Sequence, residues 1–209
     1  MQIILVRHAE TLWNLEGRWQ GHTDVPLSPT GIERIRTSAR YVEHWADRIA
    51  AVYTSDLSRA KATAQGLFPL WQNHITVDAR LREIHLGDWE GKKRELIMQS
   101  DGERFYEFDH TETVSAPGGE SFRDSRERVL SWYQERVARW GQTDCIVTVA
   151  HGGTIRALLF ALIPDLPGSL RKHFRVSNLS VSVLKTTSTD RAEIAHWNVP
   201  IEWYRGPQA

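Results

Sequence analysis

The chain has 209 residues, 41% of them hydrophobic and 25% charged, a length a single α/β domain reaches and a balance that argues against disorder. Lysine plus arginine equals aspartate plus glutamate at 26 each, so overall charge offers nothing to nucleic acid or an anionic membrane, and any anion must be met by a local site. No apolar run is long enough to span a bilayer, no signal-peptide pattern precedes QIILVRH, and the lone Cys145 excludes an internal disulfide, so a cytoplasmic location is expected.

QIILVR reads as the first strand, and LSPTGIERIRTSARYVEHWADR as a helix with Ile32, Ile35, Ala39, Val42 and Trp45 at helical spacing. AAVYTS is a second strand running into the helix DLSRAKATAQGLFPLW, with Ser55 or Asp56 as its cap. ITVDARL gives a third strand. From 84 to about 116 the pattern turns irregular, rich in charges and aromatics, and predicts short helical pieces in an insertion over the sheet. GGESFRDSRERVLSWYQERVARW resumes a helix, with Phe122, Val129, Trp132, Val137 and Trp140 on its buried side. DCIVTVAHGG is the strongest strand, TIRALLFALI the helix after it, and LSVSVLKT with AEIAHWNV an antiparallel hairpin at the sheet edge. This alternation predicts one domain over 1–209, an α/β fold with a three-layer α/β/α sandwich on a mostly parallel sheet.

Ligands of open parallel sheets bind beyond the carboxyl ends of the strands. There the first strand ends in Arg7-His8, the second leads through Ser55 to Arg59, and the strand near residue 150 ends in His151-Gly152-Gly153. Two imidazoles, two guanidiniums and glycine-permitted backbone N–H groups suit a phosphoryl group, since arginine forks bind its oxygens and a neutral imidazole attacks phosphorus. Any one such residue alone is more often a satisfied polar side chain, so the combination carries the reading. The histidines form no HExxH or Cys/His cluster and no GxxxxGK is present, so no metal is required and a nucleotide P-loop is disfavoured.

LVRHAETLWN, GHTDVPLSPTGIERI, VYTSDLSRAKATA, LREIHLGDWEGK, PGGESFRDSRERV and VAHGGTIRALL stand in the order seen in the histidine phosphatase superfamily, also called phosphoglycerate mutase-like. The chain resembles that family from Gln2 to about Leu159. The resemblance implies that His8 is the nucleophile that becomes phosphorylated, with Arg7, Arg59 and His151 around the phosphoryl group. It implies Glu83 as proton donor, the alternative being a surface carboxylate paired with Arg80 or Arg82. Asn14 matches a phosphate-contacting position, a loop cap being the other reading; Gly152 would give a backbone N–H, and Gln20 and Gly21 would touch substrate. Ala9 departs from the glycine many relatives carry, which asks only for a compatible backbone angle.

The activity implied is metal-independent hydrolysis of a small phosphomonoester, with no required cofactor, closest to the broad-specificity and ribazole phosphatase-type branch. A 2,3-bisphosphoglycerate-dependent phosphoglycerate mutase is the alternative, and a binding module without turnover a third reading. The oligomeric state stays open. Segment 84–116 should help form the pocket, and its eight Asp/Glu against four Lys/Arg suit a phosphoglycerate poorly. Trp19, Trp89, Phe105, Tyr106 and Phe108 are candidates for an apolar wall or for packing of the insertion.

Overall fold

Backbone hydrogen bonding in the computed structural model, which describes residues 1–137 and 140–207, gathers six strands into one sheet. They are β1 (Gln2–Arg7), β2 (Ala51–Thr54), β3 (Ile75–Val77), β4 (Cys145–Ala150), β5 (Ser180–Thr186) and β6 (Ala192–Pro200), in the order β3-β2-β4-β1-β5-β6. The first four are mutually parallel, while β5 runs antiparallel to β1 and β6 antiparallel to β5, the predicted edge hairpin.

Successive strand residues point to opposite faces, and here each face meets its own core. Ile3, Leu5, Tyr53 and Ile146 join one cluster with Val129 and Trp132 of α5 (Phe122–Val137) and Leu158 of α6 (Gly152–Leu162). Ile4, Val6, Val52 and Val147 join the other with Ile35 and Val42 of α2 (Pro29–Val42) and Leu67 of α3 (Ser58–Leu67). The result is the expected α/β/α sandwich, with continuous apolar runs in β1 and β4 because both of their faces are covered.

Local details differ from expectation for identifiable reasons. Ile32 is 57% exposed, because α2 turns Gly31, Ile35, Ser38 and Val42 inward. α2 stops at Val42, and a 3-10 turn, Glu43–Arg48, carries Trp45 into the core. Neither Ser55 nor Asp56 is the N-cap of α3: that position is Leu57, and the Asp24 carboxylate accepts from the Ser58 N–H at 2.8 Å instead. Asp56 takes the Arg82 guanidinium, at 2.8 Å from its Nε.

A short α1 (Leu12–Glu16), absent from the sequence reading, is closed by a Thr11–Asn14 capping box. Segment 84–116 is more regular than expected. A 3-10 turn, Gly87–Trp89, precedes one long helix, α4 (Arg94–His110), broken at Asp101 (φ −151°, ψ 42°), whose carboxylate accepts from Trp89 Nε1 at 3.2 Å. In α5, Phe122, Val129 and Trp132 are buried as expected. Trp140 lies beyond the helix and donates to the Tyr53 hydroxyl at 3.2 Å, and the Val137 side chain is outside the described residues.

Candidate active site

The β1–β4 register places Arg7 opposite Ala150, so His8 and His151 leave the sheet side by side, with ring centroids 5.1 Å apart. His8 Nδ1 lies 2.7 Å from the Ala9 carbonyl, which can only accept, so Nδ1 carries the proton and Nε2 keeps its lone pair. Burial first, then the charges of Arg7 and Arg59, hold the His8 pKa well below the usual imidazole value. The ring is therefore neutral, with a lone pair available on Nε2. The Ala9 N–H donates to Thr63 Oγ1 (3.0 Å), and Ala9 is not among the positive-φ residues, so alanine fits the backbone there as expected.

Arg59, only 1% exposed, enters from the first turn of α3 and is fixed on three sides. Its Nε donates to His151 Nδ1 (3.3 Å), Nη1 to the Thr23 carbonyl (2.8 Å) and Nη2 to the Gly21 carbonyl (2.7 Å). Five donors less three leave two for a ligand. Because His151 Nδ1 accepts, the neutral ring carries its hydrogen on Nε2, a buried donor with no protein partner. Arg7 donates from Nη1 to the Val176 carbonyl (2.6 Å) and has an unpartnered Nε. Burial pushes its pKa down to about 10, Glu83 opposing and Arg156 and Arg59 reinforcing.

Glu83 is not paired with Arg80, which holds Asp78 and Glu135, or with Arg82, which holds Asp56. Its carboxylate accepts instead from the Ile84 N–H (2.9 Å) and the Gly153 N–H (3.1 Å) at the start of α6. A β-carbon at Gly153 would lie 2.2 Å from Glu83 Oε1, so glycine is what lets the carboxylate dock there. At Gly21, φ is +52° and a β-carbon would meet Glu90 Oε1 at 2.1 Å. Glu90 in turn accepts from the His22 and Thr23 N–H groups (2.8 Å each), fixing the loop whose carbonyls hold Arg59.

These groups border a cavity of about 480 Å³. Arg7, His8, Arg59 and Glu83 line one end, beside Asn14, Gln20 and Gly21; His151 and Gly152 are not among the lining residues. His151 lies fully buried beneath the floor, and Gly152 packs against the Arg7 side chain, which a β-carbon there would approach at 3.6 Å. Asn14 completes the capping box of α1, its Oδ1 accepting from the N–H of the N-cap Thr11 at 3.1 Å, and also lines the cavity. Of the candidate aromatics Trp19 and Phe108 line the wall, Trp89 and Phe105 pack behind them, and Tyr106 is 64% exposed; Trp13 and Phe122 complete the lining.

Among the described residues no group of three or more histidine, cysteine or acidic side chains could hold a metal ion, and no helix is long and apolar enough to cross a membrane. Residues 3–200 match the family described as the histidine phosphatase superfamily (branch 1). The chain belongs to that superfamily. As a histidine phosphatase it is 33% identical over 198 residues to phosphoglycerate mutase-like protein 4 of Arabidopsis thaliana, covering 94% of this chain and 84% of the relative. It is 35% identical over 169 residues to a glucosyl-3-phosphoglycerate phosphatase of Mycolicibacterium vanbaalenii, covering 78% of this chain and 74% of the relative. A solved mycobacterial glucosyl-3-phosphoglycerate phosphatase in complex with VO3 superposes with a TM-score of 0.83 at 32% identity, over 95% of this chain and 98% of that one.

Sequence reading of this histidine phosphatase missed several supports. Asn178 Nδ2 donates to the His8 carbonyl at 2.9 Å, across 170 residues of sequence. Arg156 and Arg171 both line the cavity, yet each reads locally as an ordinary arginine of a helix or loop. Only Arg156 carries a local signal, as a charge inside the apolar TIRALLFALI.

The buried imidazoles make a pH prediction. Burial, with Arg59, His8 and Arg7 behind it, also holds the His151 pKa well below normal. In the unfolded chain both histidines take up protons below about pH 6.5, whereas in the folded protein they do not. Stability is therefore full above that pH and falls as pH drops toward the lowered folded values, by about 1.4 kcal/mol per pH unit for each histidine. Urea unfolding at pH 7 and 5.5 should show this loss; equal stabilities would contradict neutral, buried rings.

Proposed function

We propose that the protein hydrolyses small phosphomonoesters through a phosphohistidine on His8. The observation carrying this reading is the His8 ring itself: neutral, its Nδ1–H locked onto the Ala9 carbonyl, and its free Nε2 at a cavity end lined by Arg7 and Arg59. Nε2 attacks phosphorus as the ester P–O bond breaks, and Glu83 passes a proton to the departing alkoxide. Water then attacks the phosphohistidine, the Glu83 carboxylate takes the water's proton, and the N–P bond breaks to release phosphate. Arg7, Arg59, the Nε2–H of His151, the Asn14 amide and the Gly152 N–H are assigned to the phosphoryl oxygens, Gln20 and Gly21 to substrate. The scheme uses no metal and no cofactor, treats 1–209 as one domain with the segment from 84 to 116 as part of the pocket wall, and suits the cytoplasm, where a free buried Cys145 stays reduced.

Transfer of the phosphoryl group to another hydroxyl, as in a 2,3-bisphosphoglycerate-dependent mutase, is favoured by one observation. The acidic balance of residues 84–116 does not reach the cavity, whose lining takes only Asp109 from those acids and adds cations from elsewhere, Arg156 and Arg171 among them. Incubation with p-nitrophenyl phosphate and, in parallel, with 3-phosphoglycerate plus catalytic 2,3-bisphosphoglycerate separates the two. Phosphate release without isomerisation is the expected result; fast isomerisation with little release would establish the mutase.

A further inference from the structure

The chain entering β5 turns sharply over residues 177–180, where the Ser180 N–H closes on the Ser177 carbonyl at 3.1 Å. The third residue of this turn, Leu179, is buried yet holds φ +54°, a left-handed conformation that most side chains avoid and that turns usually give to glycine or asparagine. Such strain persists where surrounding contacts fix the backbone. Here the contacts fix it against the end of β1. The Leu179 N–H donates to the Arg7 carbonyl at 3.1 Å, the Val176 carbonyl accepts from Arg7 Nη1 at 2.6 Å, and Asn178 Nδ2 donates to the His8 carbonyl at 2.9 Å.

The Asn178 amide has a second acceptor, because the same Nδ2 lies 3.3 Å from Asn14 Oδ1. A carbonyl oxygen only accepts, so the bond to His8 decides which end of the Asn178 amide faces inward, and that end in turn asks Asn14 for an acceptor. Asn14 Oδ1 also takes the Thr11 N–H and the Thr11 hydroxyl, each at 3.1 Å. Three donors thus converge on the oxygen. The Asn14 Nδ2, which makes no hydrogen bond among the described residues, is the end left for a ligand, on a residue that lines the cavity. Thr11 belongs to the same capping box as Asn14 and moves with it, whereas Asn178 ties the amide to the backbone of His8 itself.

We infer that Asn178 is a positioning residue for phosphoryl transfer: bridging the His8 carbonyl and Asn14 Oδ1 through one amide nitrogen, it holds the Asn14 Nδ2 at a fixed place relative to the attacking ring, where a phosphoryl oxygen receives it. An Asn14 amide turned the other way would set an oxygen against that anion and repel it. Asn178 is not among the residues lining the cavity, so it acts through Asn14. This role rests on the assignment of Asn14 to the phosphoryl oxygens made under the proposed function.

The test is a double-mutant cycle on Asn14 and Asn178, read as kcat/KM for p-nitrophenyl phosphate and as the inhibition constant of inorganic phosphate. Asn14→Ala and Asn178→Ala should each lower kcat/KM by about ten-fold, the size of one or two lost hydrogen bonds, and weaken phosphate inhibition in parallel. In Asn14→Ala protein, adding Asn178→Ala should cost about two-fold or less, because residues that act as one unit do not add. Asn178→Leu, close to asparagine in shape but without a donor, runs the same cycle where the alanine variant fails to fold. Losses that multiply in the double variant, or full activity in the Asn178 variants, overturn the positioning role while leaving Asn14 and hydrolysis standing. Unchanged kcat/KM and phosphate inhibition in Asn14→Ala remove Asn14 from phosphoryl binding, and the role of Asn178 with it. If the wild-type protein releases no phosphate, the hydrolase reading falls, and the cycle is run on the affinity for inorganic phosphate by titration calorimetry. Coupled losses of affinity then support the positioning of Asn14, and independent ones overturn it.

Discussion

Replacing His8 with alanine should abolish phosphate release, by about 10⁴-fold or more, because nothing else at the floor of the cavity can form the covalent intermediate. The neighbouring imidazole is no substitute: His151 is fully buried and its Nδ1 is occupied by Arg59. The fold should survive, since the His8 ring makes its one side-chain hydrogen bond to the adjacent Ala9 carbonyl and the backbone supports from Ala150 and Asn178 remain. Phosphate release and a thermal melt, measured on the same preparation, check both halves. A well-folded variant that still turns over at a substantial rate would rule out phosphohistidine chemistry.

Glu83→Gln should slow hydrolysis of alkyl phosphates by about 10²–10⁴-fold, the range for loss of a general acid, and p-nitrophenyl phosphate much less, since a stable phenolate leaves without a proton. The substitution also removes one acceptor from between the Ile84 and Gly153 N–H groups, so the variant is best read beside Gly153→Ala. There the new methyl group drives the intact carboxylate from its seat, and the same leaving-group pattern should appear in weaker form. Equal slowing of alkyl and aryl esters in Glu83→Gln would remove Glu83 from proton transfer.

The parts of the molecule legible in the sequence are those governed by short-range pattern. Runs such as CIVTVA, apolar but for the buried Thr148, marked the central strands, since both of their faces are covered, and the strand ends then located Arg7, His8, Arg59 and His151. What escaped was set by distant partners. The cap of α3 comes from Asp24 rather than from its own first turn, and Ile32 faces solvent although it shares helical spacing with Ile35. Counting acids in segment 84–116 misjudged the pocket because only Asp109 of the eight lines the cavity, while Arg156 and Arg171 reach it from later in the chain. Gly152 and Gly153 were visible as a pair, but the task of seating Glu83, which falls to Gly153 alone, follows only from a tertiary neighbour.

The position of β1 constrains how the molecule is made. The strand that leads into His8 leaves the ribosome well before its sheet neighbours β4 and β5, and the Val176 carbonyl that holds Arg7 lies 169 residues downstream. At a synthesis rate of about 5–20 residues per second, QIILVR waits many seconds with both edges unpaired. Pairings so distant in sequence slow folding and expose apolar strand edges to other chains. The floor of the cavity is therefore a late product of folding, and β1 stays without its sheet partners until β4 and β5 have emerged.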